Sequence, residues 1–296
     1  MRDCAARPAE FRHDVYENFM KSFLIRWIIG QSQECRLDAQ AISLLEVSVR
    51  AARAVFPEAQ FVICHNNLGA RREDVLRLSC ELGIEAVETS NHLPGHLPSG
   101  GKNSWWKYAP PRLLLSGHEL VLDNDIILWK RPSVLEEWLD SDCLLGLGVE
   151  GDDCREVLYY GDYAPQVRAA CPSLDLNAGL IGWPPGYRPA VERYRETADE
   201  YFHTEQGFTA WLFATFEGRR KLVPYSAVPL LHTMRIGPKE LAESCCGAHF
   251  CECNFGEMQY WREIYEKPVR EFVGQLGAKN GQHSSAQTGC KLAHSE

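Results

Sequence analysis

The chain has 296 residues, of which 45% are hydrophobic and 24% charged, with a formal net charge of -9. Such proportions are those of an ordinary soluble globular protein, long enough for one large domain. The acidic balance and the lack of a long Lys/Arg run exclude binding by neutralisation of a nucleic-acid backbone, so no nucleic acid is expected as partner.

Residues 1–19 form an N-terminal segment, of which Met1 to Asp14 is polar and of mixed charge, unlike a signal peptide. The run Phe23 to Ile29 reads as a first buried strand that ends at Gly30. It is too short to span a bilayer and carries Arg26 in its middle, so no transmembrane segment is expected and a cytoplasmic location follows as the default. A helix starts from an Asp38 N-cap, places Ile42, Leu45, Val49, Ala52 and Phe56 on one face, and stops at Pro57. Phe61–Cys64 is a second strand, Arg72–Leu82 a second helix and Ile84–Val87 a third strand. This alternation implies an α/β fold with a mostly parallel central sheet flanked by helices.

A Pro/Gly/His-rich loop over Asn91–Gly101 leads to a helix or turn from Trp105 towards Leu115. Then Glu119 to Leu128 reads as one buried strand interrupted by Asp123-Asn124-Asp125. In extended backbone Asp123 and Asp125 project to the same side. Two like charges so close are unfavourable without a cation between them, and a hard divalent ion with positions left for phosphate oxygens supplies one. In open parallel sheets ligands bind beyond the carboxyl ends of the strands, which is where this pair falls. The other reading is a polar turn between two short strands, with each carboxylate bonded to nearby amides.

Further strands are expected at Cys143–Val149, Leu176–Trp183 and Leu222–Val228, with a helix over Glu205–Phe216. Met258, Trp261, Tyr265, Val269, Phe272 and Leu276 share the face of a last helix that Pro268 is expected to kink. After Gly277 the periodicity ends. One domain over 20–276 and a disordered tail over 277–296 follow. Of the 12 cysteines, most fall in expected strands or helices as small hydrophobes. The exception is the crowded stretch Cys245, Cys246, His249, Cys251 and Cys253, which offers thiolates and an imidazole for a zinc ion but lacks two-residue knuckle spacing.

Four stretches, taken in order, resemble the nucleotide-diphospho-sugar glycosyltransferases of the GT-A fold, most closely the glycogenin and lipopolysaccharide-galactosyltransferase-like group. They are the N-terminal β-α-β-α-β half, the Asp123-Asn124-Asp125 motif, and Leu176-Asn177-Ala178-Gly179 followed by Glu205-Gln206-Gly207. The fourth is His249-Phe250, similar to the family's C-terminal metal motif. The resemblance spans roughly residues 20 to 265. It implies a metal-dependent, hexosyltransferase-type enzyme that takes a nucleotide-sugar donor, UDP-sugar in first place, and uses Mn²⁺ or Mg²⁺. The acceptor, a glycan, a lipid-linked sugar or a protein, stays open.

The resemblance also assigns roles. Asp123, Asp125 and His249 would hold the metal, Asp123 also reaching the ribose. Gly30 and Gln31 would lie against the nucleoside, and Asn177 and Gly179 would line the donor sugar. Glu205 or Gln206 would face donor or acceptor sugar, with Glu205 a base on an acceptor hydroxyl if the enzyme inverts. Lys102 and Lys107 would assist at the phosphates, or else be surface lysines. Glu252 stands where the family has a glycine, which leaves His249 in question. A pyrophosphorylase would need a Gly-rich, Arg-containing loop after the first strand, which Gly30 to Cys35 is not. An inactive nucleotide-sugar-binding or scaffold protein is the remaining alternative.

Overall fold

The computed structural model describes residues 23–30, 37–66, 68–89, 105–149, 160–194, 203–231, 236–251 and 261–285. In chain order its strands are β1 (Phe23–Gly30), β2 (Gln60–Asn66), β3 (Glu85–Glu88), β4 (His118–Asp123), β5 (Ile126–Leu128), β6 (Leu144–Gly148), β7 (Leu176–Trp183), β8 (Arg220–Val223) and β9 (Gly247–His249). The helices are α1 (Ala39–Val55), α2 (Arg72–Leu82), α3 (Ser133–Leu139), α4 (Ala164–Ala170), α5 (His203–Thr215), α6 (Pro238–Ser244) and α7 (Glu266–Ser285).

Seven strands form one sheet in the order β3-β2-β1-β4-β7-β6-β8, and β5 pairs with β9 apart from it. All neighbours in the large sheet are parallel except where β7 meets β4 and β6. The expected mostly parallel α/β sheet is therefore present. Its helices start and stop for local reasons. The Asp38 side chain accepts the Ala41 N–H at 2.9 Å and caps α1, and Pro57, which has no N–H to donate, follows its last turn. α2 ends at Gly83, whose φ of 61° is the left-handed geometry that a glycine adopts without a Cβ clash.

Alternation along β1 divides the core. Phe23, Ile25, Trp27 and Ile29 face α1 and α2, packing with Leu45, Val49, Phe56 and Val75. Leu24 and Ile28 face the opposite side, with Tyr108, Leu113 and the α5 residues Phe208 and Phe213. A third cluster joins α1 to α7 through Leu44, Val47, Trp261, Tyr265 and Val269.

Four expectations need correction. The acidic segment is two strands: β4 ends at Asp123, Asn124 and Asp125 turn, and β5 leaves for the other sheet. Ile126, Ile127 and Leu128 are as buried as β4 itself, so hydrophobicity gives no sign of the break. The late strand is Arg220–Val223 rather than Leu222–Val228, because Pro224 opens a turn closed by the Ala227 N–H on its carbonyl. Pro268 falls in the first turn of α7, where a missing N–H is tolerated, and a π-helical turn over Trp261–Tyr265 precedes it. α7 itself runs to Ser285, beyond Gly277, as a nucleated helix can propagate without an apolar face. The short helices α3, α4 and α6 had no sequence expectation, since two turns carry too little periodicity.

Candidate active site

The sheet brings the named residues to one edge. β4 runs parallel to β1, so Asp123 lies at its carboxyl end, in register with Ile28 and two residues short of Gly30 on the neighbouring strand. β7 is antiparallel to β4, so its first residues, Asn177 to Gly179, meet the last of β4 at that edge. Pairing of β5 with β9 sets His249 opposite Ile126, and the Phe250 N–H donates to the Asp125 carbonyl at 2.9 Å. The Asp-Asn-Asp segment is thus both the polar turn of one reading and the carboxylate pair of the other. Asn124 points inward and donates to the Ala41 carbonyl at 3.3 Å, tying the turn to α1.

Asp123, Asp125 and His249 each offer a ligand atom, all within 4.8 Å of one another. His249 Nε2 lies 3.2 Å from Asp125 Oδ1, while the buried Nδ1 of His249 has no hydrogen-bond partner among the described residues. Two carboxylates and an imidazole suit Mn²⁺ or Mg²⁺, so the residues present fit such an ion.

Lys107 is not a surface lysine. It is 4% exposed, and its Nζ is 2.8 Å from Asp123 Oδ1 and 2.8 Å from Glu205 Oε1. It also donates to the Ala178 carbonyl at 3.2 Å. Burial would lower its pKa, but the Asp123 and Glu205 carboxylates outweigh this and hold it above the usual lysine range. Burial also raises the pKa of Asp123, with Lys107 opposing and Asp125 adding to the rise. Glu205 is pushed up to about 7 by burial, against the pull of Lys107 and with the repulsion of Asp123. Asp123 and Glu205 thus share one ammonium while Asp125 lies beside Asp123, a crowding of carboxylates suited to a dication.

Gly179 is required by crowding. A Cβ there would sit 2.6 Å from His249 Cε1 and 2.8 Å from Asn177 Oδ1, the oxygen that accepts the Gly179 N–H at 2.8 Å. Asn177 Nδ2 in turn donates to Gln206 Oε1 at 3.3 Å. Gly179→Ala is expected to displace the His249 ring and weaken Mn²⁺ binding at least tenfold while the protein stays folded. Isothermal titration with Mn²⁺ alone checks this, and unchanged affinity would remove the link between Gly179 and the imidazole.

The structure thus gathers Asp123, Asp125, His249, Lys107, Glu205, Gln206, Asn177 and Gly179, and sets Gly30 on the same sheet edge. Gln31, Lys102 and Glu252 lie outside the described residues. The cysteine-rich stretch forms no metal cluster among the described residues, where the acidic trio is the one such group. Cys245 is buried and its carbonyl accepts from Trp129 Nε1 at 3.0 Å, Cys251 Sγ is directed at the His249 carbonyl at 3.7 Å, and Cys253 is outside the described residues. The sequence reading missed Arg26 and Glu119, which form a buried ion pair beneath Lys107.

Fold and site together define a protein of the GT-A architecture. No known family's sequence pattern matches the chain, and no curated protein matches it. Solved structures do. The apo WbbM bifunctional glycosyltransferase is 14% identical with a TM-score of 0.55, covering 86% of this chain and 50% of that one. The galactosyltransferase LgtC, solved with donor and acceptor sugar analogues, is 14% identical with a TM-score of 0.52, covering 86% and 95%. The apo glycosyltransferase GlyE of Streptococcus pneumoniae TIGR4 is 10% identical with a TM-score of 0.53, covering 90% and 64%. The chain therefore has the fold of these glycosyltransferases, and it spans half the length of WbbM.

Proposed function

We propose that this chain is a metal-dependent glycosyltransferase that moves a hexosyl group from a nucleotide-diphosphate donor, a UDP-sugar in first place, to a hydroxyl of a glycan, lipid-linked or protein acceptor. The observation that carries the proposal is the meeting of Asp123, Asp125 and His249 at the sheet edge beside the buried Lys107. The fold, shared with known glycosyltransferases, agrees with it. No helix among the described residues is long and apolar enough to cross a membrane, and we place the enzyme in the cytoplasm.

Asp123, Asp125 and His249 would hold Mn²⁺ or Mg²⁺, which neutralises charge growing on a diphosphate leaving group. Lys107, fixed between Asp123 and Glu205, adds a second positive charge there without titrating near neutral pH. Asn177 and Gln206, bonded to each other, would line the donor or acceptor sugar. As the bond from sugar to diphosphate breaks, the acceptor oxygen bonds to the anomeric carbon and gives up its proton. If the enzyme inverts, Glu205, which burial pushes up to about 7, is suited to take that proton. Gly30 and Gln31 would contact the nucleoside, and Lys102 the phosphates.

Thermal unfolding with UDP-, GDP- and CMP-sugars, with and without Mn²⁺, tests the reading. Ligand at a hundred times its Kd stabilises by about 2.7 kcal/mol, a rise in Tm of about 5 °C or more for a domain of this size. The expected result is a metal-dependent rise for the UDP-sugar. No rise with any donor, in protein shown to be folded, would sink the proposal.

A further inference from the structure

Arg26 and Glu119 are wholly buried, Arg26 as the one charged residue of β1 and Glu119 on β4 ahead of the apolar Leu120, Val121 and Leu122. Side chains alternate, so Glu119, Val121 and Asp123 share one face of β4, and Arg26, in register with Val121, shares that face on β1. Arg26 Nε is 3.0 Å from Glu119 Oε1. Its other nitrogens hold main-chain carbonyls of the segment lying over this face. Nη1 donates to Pro110 O at 2.8 Å, and Nη2 to Lys107 O at 2.8 Å and to Pro111 O at 3.4 Å. Glu119 holds the continuation: its Oε2 accepts the N–H groups of Leu113 and Leu114 at 2.8 and 2.9 Å and Arg112 Nε at 3.1 Å.

A buried ion pair stabilises a fold less than apolar packing of the same volume, which leaves the choice of these residues unexplained by stability. Their contacts have one feature in common, since nearly all end on the main chain between 107 and 114. A guanidinium fork can fix several acceptors in one plane, which an ammonium cannot. The residue whose carbonyl Arg26 holds is the one whose ammonium joins Asp123 to Glu205.

We propose that Arg26 and Glu119 are a positioning pair: they clamp the 107–114 main chain onto β1 and β4, and so fix the Lys107 ammonium against the acidic residues of the site. The effect on turnover rests on the glycosyl-transfer reading above, whereas the clamp itself does not.

Arg26→Lys keeps the positive charge beside Glu119 but cannot hold the Lys107 and Pro110 carbonyls together, and Arg26→Gln keeps one donor without the charge. In each variant, acetylation of Lys107 is followed by mass spectrometry relative to the exposed Lys239, with amide hydrogen exchange recorded across the chain. The expected result is Lys107 labelling about tenfold faster and faster exchange confined to 105–114, with β2 and α1 unchanged. If donor turnover is seen, kcat falls about ten- to a hundredfold while KM for the donor changes less. Arg131→Lys is the comparison: it loosens the contact to the Val55 carbonyl at the end of α1, outside 105–114, and should leave Lys107 labelling as in the wild type. Wild-type labelling and protection of 105–114 in folded Arg26→Lys and Arg26→Gln would overturn the proposal. So would faster exchange spread evenly over the chain, which would make the pair a stability element alone. The labelling and exchange readouts need no donor, so they decide the clamp even if the glycosyl-transfer reading fails.

Discussion

Asp125→Asn is expected to lower metal-dependent donor turnover on the order of 10³-fold and to leave Tm at or slightly above that of the wild type. Removing a metal ligand forfeits several kcal/mol of transition-state stabilisation, and each 1.36 kcal/mol is about tenfold in rate. The prediction for Tm comes from the same residues. Without a cation, Asp123 and Asp125 are like charges gathered within 4.8 Å with His249, and replacing one by a neutral isostere relieves that repulsion. Loss of function with no loss of stability is what a binding site, unlike a structural turn, should give. Turnover of a UDP-sugar at saturating Mn²⁺, together with a thermal melt, checks both halves. Turnover kept within tenfold would move the metal elsewhere, and a drop in Tm of several degrees would make Asp125 a structural residue.

The sequence made the first three strands and two helices legible because each had its own punctuation, such as the Asp38 cap, Pro57 and Gly83. It also located the carboxylate pair, though by an argument that held only in part. Strand alternation put Asp123 and Asp125 on one side, whereas a turn brings them there, between strands in different sheets. The apolar residues on either side looked continuous because both halves are buried. His249 was joined to the carboxylates only by resemblance, while the cysteines beside it offered it to a zinc ion instead. Its placement depends on β9, three residues of Gly-Ala-His with no periodic signal, finding β5 over a hundred residues earlier. Lys107 looked like surface because nothing beside it in the sequence is acidic, and its partners lie 16 and 98 positions away. Arg26 and Glu119 could have been paired. Arg26 is the lone charge of an apolar run and Glu119 opens another, and a buried charge must find a counter-charge.

Glu119→Leu is expected to destabilise the fold by about 3–5 kcal/mol, since breaking a buried pair leaves its partner charged in an apolar core. Two guanidinium groups lose their carboxylate, Arg26 at 3.0 Å and Arg112 at 3.1 Å, and the Leu113 and Leu114 N–H groups lose their acceptor. Urea unfolding measures the change, and Tm should fall roughly 10 °C for a domain of this size. A loss below about 1 kcal/mol would mean that water or other acceptors reach the arginines. Adding Arg26→Met to Glu119→Leu removes one stranded charge from a cluster already built of Leu24, Ile28, Val121 and Tyr108, so part of the stability should return. Arg112 keeps its main-chain acceptors at Gly117, Pro184 and Tyr187 but stays charged without its carboxylate, which limits the recovery. Stability and position should then separate. The double variant regains stability by apolar packing, yet nothing in it holds the Lys107 carbonyl, so Lys107 labelling should stay fast. A variant that recovered both would show that filling the space beneath Lys107 is enough, and that the charges add nothing to its placement.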